Sequence, residues 1–147
     1  MNYGSIYLIV RDFEKSIDFY KKLLEKNVDA QNMTRFAIFN IDGLCLAINS
    51  GTFDTENQEK VEYQGAYYEE YDDQLSIIDR QNSGKIVINL SCENLNNEYD
   101  RIMKLGIGKD VTEIRYVNAG MPYYYFTLKD PDDNVIEITG EYLTKEE

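Results

Sequence analysis

The sequence predicts an α+β fold built from two βαβββ modules that form an open half-barrel with a concave groove. Three observations predict it. A strand-like run leading into an amphipathic helix occurs twice, once near each end of the chain. The apolar positions of the two helices superpose at one constant offset. Each copy is then closed by further alternating runs joined by turn residues. At 147 residues the chain fits one domain or two fused half-domains, with length enough for a core.

The first module spans residues 1–50. Gly4-Ser-Ile-Tyr-Leu-Ile-Val10 alternates and reads as a strand, with Ile6, Leu8 and Val10 on one face. Asp12 is placed as an N-cap, since its carboxylate accepts from a free amide of the first turn. A helix follows to about Lys26, with Phe13, Ile17, Tyr20, Leu23 and Leu24 at helical spacing. After a short strand-like stretch, Thr34–Ile41 and Leu44–Ile48 flank Asp42-Gly43. That dipeptide predicts a type I′ hairpin, whose two central residues need positive φ.

Residues 51–84 break the pattern. The segment is acidic and carries Tyr63, Tyr67, Tyr68 and Tyr71. A connection this long is a mobile linker or a lid, and its tyrosines, with Leu75, Ile77 and Ile78, suggest that part of it packs or forms a short helix.

The second module spans residues 85–142, leaving a tail at 143–147. Lys85–Ser91 reads as a strand and Asn94 as the N-cap that matches Asp12. Leu95, Tyr99, Ile102 and Leu105 form the inward face of a helix that Gly106 ends. Strands are expected at Val111–Val117, Tyr123–Leu128 and Asn134–Thr139, the last after the turn Asp130-Pro-Asp-Asp-Asn134. Aligning the repeats places Leu46-Ala47-Ile48 on Ile136-Glu137-Ile138.

Strand parity then sorts the residues. Ile6, Leu8, Val10, Ile86, Ile88 and Leu90 should face the helices. Ser5, Tyr7, Ala47, Asn49, Val87, Asn89, Glu137 and Thr139 should line the concave face, joined by Asn40, Tyr123, Tyr125 and Thr127. The lining is polar and aromatic, as a small-molecule site requires.

Composition narrows the function. A formal charge of −12 argues against nucleic acid and against anionic membrane surfaces. No apolar run is long enough to cross a bilayer, and the N-terminus shows no secretory pattern. Cys45 and Cys92 are far apart and fit buried small apolar residues, so a reducing cytoplasm is the expected location. The chain has no histidine, which removes the commonest metal ligand and the commonest general base.

Two motifs carry a resemblance. Val10-Arg-Asp-Phe-Glu-Lys-Ser-Ile-Asp-Phe-Tyr20 resembles the first-helix signature of the glyoxalase/bleomycin resistance protein/dioxygenase superfamily, the vicinal oxygen chelate proteins. Tyr125-Phe-Thr-Leu-Lys-Asp-Pro-Asp-Asp-Asn-Val-Ile-Glu-Ile138 resembles its closing motif. The resemblance implies the fold and a homodimer, but no single activity, because enzymes and drug-sequestering proteins share it. It also implies four metal-ligand positions, here Ser5, Ala47, Val87 and Glu137, of which only Glu137 is a usual ligand. No metal site or other cofactor is therefore expected, although a divalent metal stays open.

The expected activity is binding of a small cationic or aromatic molecule. Ser5, Tyr7, Asn49, Asn89, Tyr123, Tyr125 and Thr139 would contact it, and Glu137 would act as its cation partner or as an acid/base. Arg115 is a weaker candidate for a ligand carboxylate. Two alternatives stand beside this: a lyase, isomerase or other enzyme using Glu137, and a non-catalytic dimer with a vestigial groove.

Overall fold

Each half of the chain folds as strand, helix and three strands, in the computed structural model that describes residues 1–63 and 74–143 (residues 61–63 by backbone only). Tyr67, Tyr68 and Tyr71, the side chain of Tyr63 and residues 144–147 lie outside that description. The chain divides into two units, Met1–Gln81 and Asn82–Glu147.

In the first unit, β1 (Ile6–Val10) leads through α1 (Phe13–Leu24) to β2 (Ala30–Asn32), β3 (Phe36–Ile41) and β4 (Leu44–Ser50). The sheet order is β1-β4-β3-β2, with β1 parallel to β4 and the other pairs antiparallel. Asp12 caps α1 as expected, its carboxylate accepting from the Lys15 amide at 3.0 Å. The helix ends at Leu24, two residues before the expected Lys26, because Glu25 turns left-handed at φ 53°. Its buried stripe is Phe13, Ser16, Phe19, Tyr20 and Leu23. Ile17 and Leu24 sit at the margin, so the stripe is rotated from the expected one toward Ser16 and Phe19. Tyr20 packs edge-on against Phe19 at 5.0 Å and over Phe39 at 6.3 Å. Burying one such ring contributes about 1.5–3 kcal/mol. The Asp42-Gly43 hairpin has both φ values positive, 48° and 82°, and pairs Ile41 with Leu44.

Residues after β4 form α2 (Phe53–Glu56), α3 (Gln58–Tyr63) and, later, α4 (Leu75–Ile78). The Ser50 hydroxyl accepts from the Phe53 amide at 3.1 Å, and Arg35 pairs with the largely buried Asp54 at 3.0 Å.

The second unit repeats the topology. It contains β5 (Val87–Asn94), α5 (Leu95–Leu105), β6 (Arg115–Asn118), β7 (Pro122–Lys129) and β8 (Val135–Glu141), in sheet order β5-β8-β7-β6. Asn94 accepts from the Asn97 amide at 2.9 Å, and Gly106 ends α5 at φ 63°. Leu95 and Ile102 are buried, and Tyr99 meets Phe126 edge-on at 5.1 Å. Leu105, expected to face inward, occupies the last turn of α5 and is exposed.

Three other expectations change. Val111–Ile114 is not a strand: the Thr112 amide donates to the Thr127 carbonyl at 2.9 Å, but Thr127 returns its amide to the Thr112 hydroxyl, also at 2.9 Å, instead of to a carbonyl. Ile86 precedes β5 and is 76 % exposed rather than packed under the helix. Ile6, at the open end of β1, is also exposed. The turn after β7 is organised by a buried carboxylate. Fully buried Asp130 accepts from the amides of Asp132 and Asn134, both at 2.9 Å, and from the Asn134 side chain at 2.8 Å. Its neighbour Asp133 takes the left-handed conformation at φ 66°.

Candidate functional site

Alternation along β5 is clear: Ile88, Leu90 and Cys92 turn toward the helix side, whereas Val87, Asn89, Ser91 and Glu93 are exposed on the other face. Lateral register carries that open face across the sheet. Asn89, Glu137 and Thr127 stand side by side on β5, β8 and β7. One row further along stand Ser91, Thr139, Tyr125 and Arg115.

The first of these rows holds a side-chain hydrogen bond between two strands. The Asn89 side-chain amide donates to Glu137 Oε1 at 2.9 Å. Glu137 is half-buried, and this is its one hydrogen bond among the described residues. The carboxylate is thus oriented by a neutral donor, which leaves its charge available to a ligand. Thr139, by contrast, turns its hydroxyl toward the Leu90 carbonyl at 3.4 Å.

The tyrosine run divides between the faces. Tyr123 and Tyr125 share the open face, with ring centroids 6.0 Å apart. Tyr124 points the other way, against Tyr116 at 5.1 Å and Tyr142 at 4.6 Å. Arg115 is exposed on the edge strand β6 and makes no ion pair among the described residues.

The corresponding face of the first sheet differs. Ala47 stands beside Tyr7 and Ile38 and is fully buried, whereas Tyr7 is exposed. Ser5 lies before β1 and is exposed, outside the regular strand that was expected to carry it. Asn40 is exposed too, its backbone holding Asp29 and Lys26. Asn49 donates its side-chain amide to Gln74. Within each sheet the register places Tyr7 beside Ala47 and Asn89 beside Glu137, while Val87 pairs with Val135. Among the described residues no three His, Cys, Asp or Glu side chains converge.

Both cysteines are half-buried free thiols. Burial pushes the Cys92 thiol up, and the nearby Glu98 adds to the effect, so it stays protonated at neutral pH. Gly140 is required beside it, because a Cβ there would lie 2.6 Å from the Cys92 carbonyl oxygen.

No described helix is long and apolar enough to cross a membrane. A search of curated proteins finds no match. Solved structures give the fold independently. A lactoylglutathione lyase from Agrobacterium tumefaciens aligns over 95 % of this chain and 92 % of its own, at 13 % identity and a TM-score of 0.63. A glyoxalase-related enzyme from Fulvimarina pelagi aligns over 95 % and 88 %, at 17 % identity and 0.61. A bleomycin resistance determinant encoded on transposon Tn5 aligns over 97 % and 100 %, at 15 % identity and 0.58. The family model for the glyoxalase/bleomycin resistance protein/dioxygenase superfamily matches residues 2–138. With the duplicated βαβββ topology and this match over nearly its whole length, the chain belongs to the glyoxalase/bleomycin resistance protein/dioxygenase superfamily.

Proposed function

We propose that this protein binds a small aromatic cation without a metal, on the open face of its second sheet. The observation that carries the reading is the Asn89–Glu137 hydrogen bond, which holds a half-buried carboxylate in place with no competing cation beside it among the described residues. Tyr123 and Tyr125 offer ring faces on the same side of the sheet, suited to a flat or positively charged group. The net charge of −12 draws cations toward the protein.

The donor set does not fit a divalent metal. Ala47 and Val87 carry no donor atom, Ser5 offers a neutral hydroxyl, and one oxygen of Glu137 is engaged by Asn89. Zinc and its neighbours in the transition series need three or four N, O or S ligands for tight binding. The residues therefore favour binding without metal chemistry, on a fold that a bleomycin resistance determinant shares. We place the protein in the cytoplasm as a homodimer, on the strength of its two free thiols and its family.

The test is equilibrium binding of proflavine and other planar aromatic cations to EDTA-treated protein, by fluorescence and calorimetry. Saturable binding is expected, weakened at least tenfold in Glu137→Gln, about 1.4 kcal/mol. Equal affinity in the variant, or no saturable binding by any cation, overturns the reading. Saturable stabilisation by nickel, zinc or manganese overturns its metal-free part. At a hundred times the dissociation constant such a metal would add about 2.7 kcal/mol and raise Tm by roughly 2–8 °C. Turnover of a bound compound would instead make Glu137 an acid/base of an enzyme.

A further inference from the structure

On the open face of the first sheet, four residues of one parity meet a short segment of the same chain. Ile9 and Asn49 are register partners on β1 and β4, and Arg11 and Gly51 follow them two residues on. The pairing extends to Gly51, whose amide donates to the Val10 carbonyl at 3.0 Å. Against these four lies Gln74–Asp79, which contains α4.

Each of the four makes a different contact. Asn49 donates its side-chain amide to Gln74 Oε1. Arg11 Nη2 donates to the Ile78 carbonyl at 3.1 Å and pairs with Asp79 Oδ1 at 2.5 Å. The Ile78 Cγ2 methyl sits 2.0 Å from where a Cβ on Gly51 would stand, and Ile9 Cγ2 lies 3.1 Å from the same point. Gly51 therefore forms a socket that Ile78 fills and any larger residue would close.

We propose that Gln74–Asp79 is a self-docked strap that covers Asn49 and Ile9 and opens locally while the first sheet stays folded. The holding forces are strong in number and weak in kind. The helix has four residues, none of them buried, and no side-chain cap. The Arg11–Asp79 side chains are 59 % and 78 % exposed, so the pair is a weak clasp that salt screens. A segment with so few buried apolar contacts belongs to the low-stability end of a fold. Opening frees the Asn49 amide beside the apolar side chain of Ile9, on the face where parity places Tyr7 and Ala47.

Cleavage by trypsin after Arg80, located by mass spectrometry, reads the open population when reclosing is fast. Gly51→Ala blocks the socket without imposing a strained backbone, and should raise that cleavage at least tenfold. Cleavage after Arg101 and Lys104 in the second unit should stay unchanged, and the Asn49 side-chain amide resonance should shift. In the unmodified protein, 1 M salt should speed cleavage after Arg80 a few-fold. Unchanged cleavage in Gly51→Ala, or an equal rise in both units, overturns the proposal. If Gly51→Ala fails to fold, the double variant Arg11→Gln, Asp79→Asn carries the same test. It should raise cleavage after Arg80 about threefold, and no change there overturns the strap equally.

Discussion

The two halves share one strand order, yet their open faces carry different side chains. Beside Tyr7 the first sheet places the methyl of Ala47, fully buried, and Asn49 is taken up by Gln74. At the matching positions the second sheet places Asn89, Glu137 and Thr139, with exposed Asn89 holding the half-buried carboxylate. The difference teaches that duplicating a backbone does not duplicate a site. Hydrophobic periodicity on the helix-facing side maintains both frames, and the opposite parity is left free to diverge.

Exchanging the matched residues should break the comparison most severely. Ala47→Glu would force a carboxylate into a fully buried position beside Tyr7 and Ile38, and should cost about 3–5 kcal/mol in a denaturant titration. Glu137→Ala, on the half-buried equivalent, should change stability by less than about 1 kcal/mol. Similar costs for the two would mean that the faces are not distinct environments.

The two hairpins sharpen the contrast. Asp130→Ala removes three accepted hydrogen bonds from a fully buried side chain and should cost about 3 kcal/mol, roughly 10 °C in Tm. Gly43→Ala meets no atom within 4 Å, so only the backbone at φ 82° resists it, at about 1–2 kcal/mol. A first-half hairpin as sensitive as the second would show that Asp130 has no special weight.

The smallest effects are electrostatic and appear in both halves. In the first, Lys26 and the Asn40 amide hold Asp29 below the usual carboxylate range; in the second, Lys109 does the same for Asp133. A depressed carboxylate contributes stability that is complete above its unfolded pKa of about 3.9 and is lost as pH falls through the folded value. Lys129, raised by its bond to Asp110, contributes below about pH 10.4 and loses that contribution as pH rises through its folded pKa. Asp29→Asn and Asp133→Asn should therefore each flatten the acid limb of the Tm–pH curve slightly, and Lys129→Gln the alkaline limb. Asp29 and Asp133 are exposed and Lys129 is partly so, and 0.5 M salt should therefore reduce each effect.

Much of this was legible in the residues. Asp12 and Asn94 declare helix starts because a short polar side chain that can accept from the first turn suits few other places. Asp42-Gly43 declares a hairpin because little else tolerates two positive φ values in succession. Strand parity brought Asn89, Glu137, Tyr123 and Tyr125 to one face, and it separated Tyr124 from its neighbours. Element ends were less legible. Leu105, in the last turn of α5, and Ile86, just before β5, continue the expected periodicity yet are exposed, and nothing in a local window reports that.

The amino-acid order by itself determined the duplicated βαβββ frame, the caps, the hairpin turns and the parity of each strand. These depend on interactions between residues a few positions apart, or on periods of 2 and 3.6 that any short window reveals. Only the tertiary structure decided that Asn89 donates to Glu137 across 48 positions, that Asn49 serves Gln74, and that Ile78 fills the socket at Gly51. Such pairings arise from distant segments meeting in space, and their selection depends on which buried contacts the whole fold can satisfy together.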